Sequence, residues 1–480
     1  MSDARAVGQR RMTLDIVAQL VGRTFNIGLG VVATVALVRG LGVHNYGEWS
    51  TLFAVTGLVD AAGTQAMDRV AVPRAAENPE REPQWLGALV RSRALFAIPS
   101  TIIALAIVLV VSRDAHMRTT GIVVALMMPA AALSALAIVF QLRVRNDVNV
   151  LITTLNSLLW TGAVLALAAV NSSMLPYAIA FTGILFLTSG VQAVLGFRRG
   201  SIDMEGGRRL LRELIRLSIP IGIFGLAVTA YNRVDQLIVF ELAGTKDAGL
   251  YGAAYRILDQ GGFVPGTFAI TITPVLAAAY RTDLERVRRL LQAAADNLML
   301  IALGVFAFAV AAGKPFLEAL YGKEFGPAAH AFVVLMGAYV IICLATVLGT
   351  MVVTLNLQRK LVPYAVITLV VNVGLNLIFV PPFGYVAAAW VTIVTELLIL
   401  VLTVRLLQPM IELRPKLDRF ARTCATAAIT GIAVWLLRRA GVPLAGLMAA
   451  MVAIYVPLLF VLRAARVADL RLILRPRTAA

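Results

Sequence analysis

Several charged and amide side chains stand inside long apolar stretches of this 480-residue chain. Between Tyr231 and Gln260, the residues Asn232, Arg233, Asp235, Glu241, Arg256 and Asp259 lie in or beside two apolar runs. Nearer the N-terminus, Arg23, Asn26 and Asp60 do the same. An ion at the centre of a bilayer costs on the order of 3 kcal/mol on insertion scales, so such groups are normally paired, cavity-facing and functional. Spacing sorts them further. Arg23 and Asn26 share one helix face, as do Asn232 and Asp235, while Arg256 and Asp259 can neutralise each other along one helix. For Arg23 the local alternative is an ion pair with Asp15, two turns earlier. Buried without a cation, Asp235 is suited to carry a proton; beside Arg23 or Arg256 it is an ionised partner. Asp60, Asp235 and Asp259 are therefore the expected coupling or gating residues, with H+ or Na+ as the coupling ion and no other cofactor.

The elements that hold these residues follow from hydropathy. The chain is 60% hydrophobic and 14% charged, with a mean hydropathy of +0.85. A soluble domain could not hide that much apolar surface, and apolar runs of about 20 residues mark membrane-spanning helices. Fourteen runs are expected near 13–39, 46–67, 85–112, 119–142, 148–170, 174–197, 215–243, 248–277, 290–313, 326–354, 359–381, 384–405, 419–438 and 442–464. The fold class is an all-α polytopic membrane protein. A rise of about 1.5 Å per residue puts Arg23 about 15 Å inside the first span and Arg256 about 10 Å below the outer surface. Pro99, Pro129, Pro220 and Pro265 are expected to kink or unwind their helices.

Loop charges set the orientation. With a cytoplasmic N-terminus, inner segments hold 32 of the 43 lysines and arginines and outer loops only seven. That bias predicts both termini in the cytoplasm of a multi-pass cell (inner) membrane protein. It also accounts for the net charge of +17 without nucleic acid. Gly206–Leu217 and Thr282–Gln292 read as surface-lying amphipathic helices touching anionic headgroups. Glu48, near the outer interface, reads as solvated. Cys343 and Cys424 fall in apolar runs and His44, His116 and His330 are scattered, so no metal site is expected. Asp296, Asn297 and Glu396 are further buried polar groups, and Asn372 and Asn376 make a polar stripe that glues helices. No phosphate-binding glycine loop of the Walker type is present, which argues against ATP hydrolysis by this chain.

An internal echo organises the spans. Leu41-Gly42-x4-Gly47-x-Trp49 aligns with Ala243-Gly244-x4-Gly249-x-Tyr251 at an offset of 202 residues. Each copy sits at an outer turn after the first span of a six-span block. The glycines suit sharp helix ends and the aromatics suit the water–lipid interface. Two pseudo-symmetric six-helix lobes with a cavity between them follow, and a C-terminal helix pair lies outside the repeat. The expected divisions are 1–200, a linker at 201–214, 215–410, and 411–480.

Arg23 to Asn26, followed by LVRGLGVHNYGEWSTLFAVTGLVD (Leu37–Asp60), resembles the opening of polysaccharide-export flippases of the Wzx type. These belong to the multidrug/oligosaccharidyl-lipid/polysaccharide exporter superfamily. Asn232, Asp235, Gly244, Gly249, Tyr251 and Arg256 look like that family's seventh and eighth spans. The resemblance implies lobes that rock between inward-open and outward-open states, with an oligosaccharide on a polyisoprenyl diphosphate as cargo and polysaccharide assembly proteins as partners. It makes Arg23, Asn26, Asn232 and Arg256 substrate contacts, because the planar guanidinium fork suits a diphosphate. It implies a transporter and not an enzyme. Two other functions compete: a cation-coupled drug or metabolite antiporter of the same superfamily, and a membrane polysaccharide polymerase or ligase. Short outer loops weigh against the second.

Overall fold

A computed structural model describes residues 2–63, 65–142, 146–414 and 417–465, with the side chains of 22–61, 66–142, 147–414 and 417–465. The side chain of Asp15 and the basic positions 466–477 lie outside these. Among the described residues all regular structure is helical. Among the described residues thirteen stretches have the length and apolarity to cross a membrane, and the first of them, Gly22–Glu77, turns at Gly42 and takes in the second expected run and most of the first. The chain forms two compact units, residues 1–241 and 242–480.

The first unit holds α1 (Ser2–Gly63), α2 (Gln65–Glu77), α3 (Glu82–Val111), α4 (Ala115–Ala125), α5 (Met127–Leu133), α6 (Ala137–Leu142), α7 (Asn146–Ala169), α8 (Met174–Arg199) and nearly all of α9 (Met204–Ala243). Gly42 interrupts α1 with φ 70° and ψ 176°, a conformation open essentially only to glycine. Asp114 starts α4 by accepting from the Met117 N–H at 2.7 Å. Around Pro129 the span breaks into α4, α5 and α6, with a 3-10 turn at Ser134–Leu136. Pro99 and Pro220 instead lie within the uninterrupted α3 and α9.

Two expectations at the first turn are overturned. Trp49 does not sit at a lipid interface. It stacks on Phe53 (centroids 4.6 Å apart) and on Trp160 (6.2 Å), and Phe181 closes the cluster edge-on. Glu48, expected to be solvated, is 9% exposed. The cause is shared: the Gly42 turn folds the chain back, so residues 46–49 are buried, Trp49 against Trp160 of its own unit.

The segment Gly206–Leu217 is also not a separate surface helix. It is the beginning of α9, continuous with the span. Its apolar face is taken by protein: Leu214 is buried, and Leu210, Leu217 and Ile221 pack on a core that includes Trp85, Leu86, Leu89 and Leu136. Glycine makes the docking close. A Cβ on Gly207 would collide with the Gly87–Ala88 backbone. The Asp203 N–H donates to the Pro83 carbonyl (2.9 Å) and Arg91 Nε to the Met204 carbonyl (2.7 Å).

The second unit holds α10 (Thr245–Gly261), α11 (Phe263–Tyr280), α12 (Leu284–Tyr321), α13 (Ala329–Thr354), α14 (Gln358–Phe383), α15 (Tyr385–Ile411), α16 (Asp418–Arg439) and α17 (Leu444–Val461). Gly244 precedes α10 with φ 95° and ψ 174°. The eighth expected span divides at Gly262, with Pro265 in the first turn of α11. Asp283 caps α12 by accepting from the Arg286 N–H at 2.9 Å. Thr282–Gln292 therefore runs directly into the span, burying Val287, Leu290 and Leu291 on protein instead of lying free among headgroups.

The C-terminal pair α16 and α17 is fastened along α12 by polar contacts at three levels. Arg419 Nη1 meets Asp296 Oδ2 at 2.9 Å. The Tyr455 hydroxyl donates to the Leu300 carbonyl at 2.7 Å. Arg438 Nη1 donates to the Ala311 carbonyl at 2.8 Å.

Candidate functional site

In the first unit, Arg23 is exposed on α1 and Asn26 is half-buried one turn further on. The Asn26 Oδ1 atom is enclosed and accepts no hydrogen bond. Asp60, on the returning half of α1, is half-buried. On α9, Asn232 is half-buried and donates to the Val228 carbonyl of its own helix at 2.9 Å. Asp235 is 1% exposed. Gln236, not among the candidates above, is buried and donates to Ser50 Oγ at 2.9 Å, with Thr51 Oγ1 at 3.4 Å. That bond ties α9 to the helix that follows the Gly42 turn. Its signal was present in the i, i+4 spacing of Asn232 and Gln236, one polar stripe on a spanning helix.

Two more arginines of this unit have structural roles that spacing did not reveal. Arg93 is buried on α3 and pairs with Asp68 Oδ2 at 2.6 Å. Arg113 donates to the carbonyls of Phe240 (2.7 Å) and Glu241 (3.1 Å) and lies over the Phe240 ring. It thus supplies donors and positive charge to the terminal carbonyls of α9.

In the second unit, Arg256 is exposed and Asp259 half-buried, one turn apart on α10. Glu396 on α15 is buried. Asn372 and Asn376 are both buried on α14, and the Asn376 amide donates to the Asn372 carbonyl (3.0 Å) and side-chain oxygen (3.1 Å). Tyr251, expected at the lipid interface, is buried with its hydroxyl 3.4 Å from Thr392 Oγ1. Asp296 is held by Arg419 and by Gln292 Nε2 at 2.8 Å. This acid is a structural anchor, and its partner Arg419 stands at the first residue of the expected run 419–438.

The candidate residues therefore occupy membrane helices of both units: Arg23, Asn26, Asp60, Asn232 and Asp235 in the first, Arg256 and Asp259 in the second. A polytopic helical bundle with ionisable side chains at membrane depth, built on a repeated helix-turn, defines a two-lobe membrane transporter fold. Solved structures share it. A lipid II flippase, MurJ, in an inward closed conformation superposes with a TM-score of 0.74 at 12% identity, over 96% of this chain and 100% of that one. An inward-facing multidrug resistance transporter of the MATE family and MOP superfamily gives 0.65 at 16% identity, over 83% and 98%. A probable flippase, AglR, of Haloferax volcanii is 25% identical over 210 residues, 43% of this chain and 44% of that protein, so the match spans less than half of the relative's length. The family model described as polysaccharide biosynthesis protein matches residues 36–330, and the chain belongs to that family.

Proposed function

We propose that this chain is a flippase that moves polyisoprenyl-diphosphate-linked oligosaccharides across the cytoplasmic membrane by alternating access, with both termini in the cytoplasm. Membership in a polysaccharide biosynthesis family carries the reading. The fold shared with a lipid II flippase and the flippase relative support it. The physical task matches the residues. A glycan and a diphosphate are hydrated and cannot enter hydrocarbon, while the prenyl tail stays in lipid. The protein must replace lost hydration with charge-assisted hydrogen bonds, and Arg23 and Arg256 are suited to the diphosphate, with Asn26 and Asn232 to polar groups beside it. Asp60, Asp235 and Asp259 are the candidates for proton or sodium coupling and for gating. The chain acts as a transporter and not as an enzyme, and polysaccharide assembly proteins are its expected partners.

Deleting the gene and assaying the lipid-linked intermediates by leaflet tests this. The expected result is accumulation of lipid-linked repeat units on the cytoplasmic leaflet, relieved by the intact gene. Unimpaired translocation in a strain with no second flippase would overturn the reading.

A further inference from the structure

The first four turns of α9 carry Arg208, Arg209, Arg212 and Arg216, all exposed. Among the described residues none of the four forms an ion pair, although the carboxylates of Glu205 and Glu213 lie on the same turns. Four guanidinium groups against two carboxylates leave an excess of positive charge beside the membrane. The segment is not free to use this charge as a floating amphipathic helix would. Its opposite face is locked onto the core through Leu214, and onto the α3 backbone through Gly207. The arginines are therefore presented at a fixed place on a rigid helix.

The exposed face then continues into the bilayer. At 100° per residue, Arg208, Arg212, Ile215, Ile219, Ile223 and Leu226 fall within one narrow sector of α9. Ile219, Ile223 and Leu226 are 53%, 49% and 37% exposed. The helix runs on through Pro220 without interruption. From Arg208 to Leu226 the sector is about 27 Å long, and its apolar part, Ile215 to Leu226, covers about 17 Å, roughly half the thickness of a bilayer's hydrocarbon core. An open groove of about 1030 Å³ lies along its charged part, with Arg208, Arg212, Ile215, Arg216 and Ile219 among its walls.

We propose that this face of α9 is a docking track for the polyprenyl diphosphate carrier on the cytoplasmic side. The diphosphate lies on Arg208, Arg212 and Arg216, and the prenyl chain follows Ile219, Ile223 and Leu226 down the helix. Charge complementarity selects the occupant. A diphosphate carries more negative charge than a phosphodiester headgroup and has several non-bridging oxygens for successive guanidinium forks, which one helix presents at i, i+4 and i+8. The track deepens the flippase reading and rests on it, adding a loading site distinct from Arg23 and Arg256.

The test uses the full chain in phosphatidylcholine nanodiscs, with undecaprenyl diphosphate and phosphatidylglycerol as separate probes. Arg208→Gln/Arg212→Gln is compared with the parent and with Arg208→Lys/Arg212→Lys. The expected result is at least about tenfold weaker binding of undecaprenyl diphosphate by the glutamine variant, an intermediate loss with lysine, and little change for phosphatidylglycerol. If the glutamine variant binds undecaprenyl diphosphate as tightly as the parent, the track is wrong while the flippase reading stands. Equal losses for both lipids would show a general anionic-lipid surface and overturn the track. Failure of the parent to bind undecaprenyl diphosphate at all would overturn both.

Discussion

Gly42 and Gly244, 202 residues apart, hold the same backbone conformation, with φ 70° and ψ 176° at the first and φ 95° and ψ 174° at the second. No L-residue is comfortable there. Each glycine turns a spanning helix into the next, and each is followed by an aromatic that is buried within its own unit, Trp49 or Tyr251. The repeat therefore exists at the level of backbone geometry.

Alanine at either glycine should destabilise the protein by about 1–3 kcal/mol through backbone strain. Thermal unfolding in detergent would show it as a lowered midpoint for Gly42→Ala and Gly244→Ala. Gly57→Ala is the control: nothing lies within 4 Å of its Cβ position, and alanine favours a helix. Three identical melting curves would refute the strain argument.

Breaking the Arg419–Asp296 pair should loosen the C-terminal helices. Both side chains are buried, and Arg419 also donates to the Ala464 carbonyl at 2.8 Å and 3.1 Å. Arg419→Met removes the cation that pairs with the buried Asp296 carboxylate, a loss on the order of 3–5 kcal/mol. Adding Asp296→Leu should recover part of it, since the buried charge is then removed. A single variant as stable as the parent would mean that the pair does not fasten α16 to α12.

Gly207→Val should separate the start of α9 from α3, because the new side chain meets the Gly87–Ala88 backbone. Overpacking of this kind costs about 1–3 kcal/mol. Limited trypsin digestion reads it out, with faster cutting between Arg198 and Arg209 than in the parent. Gly225→Val, with open space at its Cβ, should leave the digestion pattern unchanged.

Arg23→Ala should lower transport by at least about tenfold, the worth of one charge-assisted hydrogen bond. Because Arg23 is exposed, membrane insertion and yield should stay near normal. Arg23→Lys restores the charge without the planar fork and should recover only part of the rate. Wild-type transport by the alanine variant would remove Arg23 from the cargo contacts.

The spans and the glycine turns were legible in the sequence because their causes are local. The cost of placing polar backbone in hydrocarbon acts on each run of about 20 residues by itself. A residue that must combine a positive φ with ψ near 175° restricts its own position to glycine. Burial of charge is different, because it depends on partners far along the chain. Arg93 and Arg419 look like ordinary cations near the inner ends of their spans, yet Asp68 and Asp296 hold them in the interior. Glu48 and Trp49 look interfacial until the Gly42 turn packs them inward. The opening turns of α9 look like a helix for lipid headgroups. Only the tertiary structure shows the apolar half already occupied by Trp85, Leu86 and Leu136 and the arginine half left open. Hydropathy counts the faces of a helix, and packing decides which of them remain to meet a ligand.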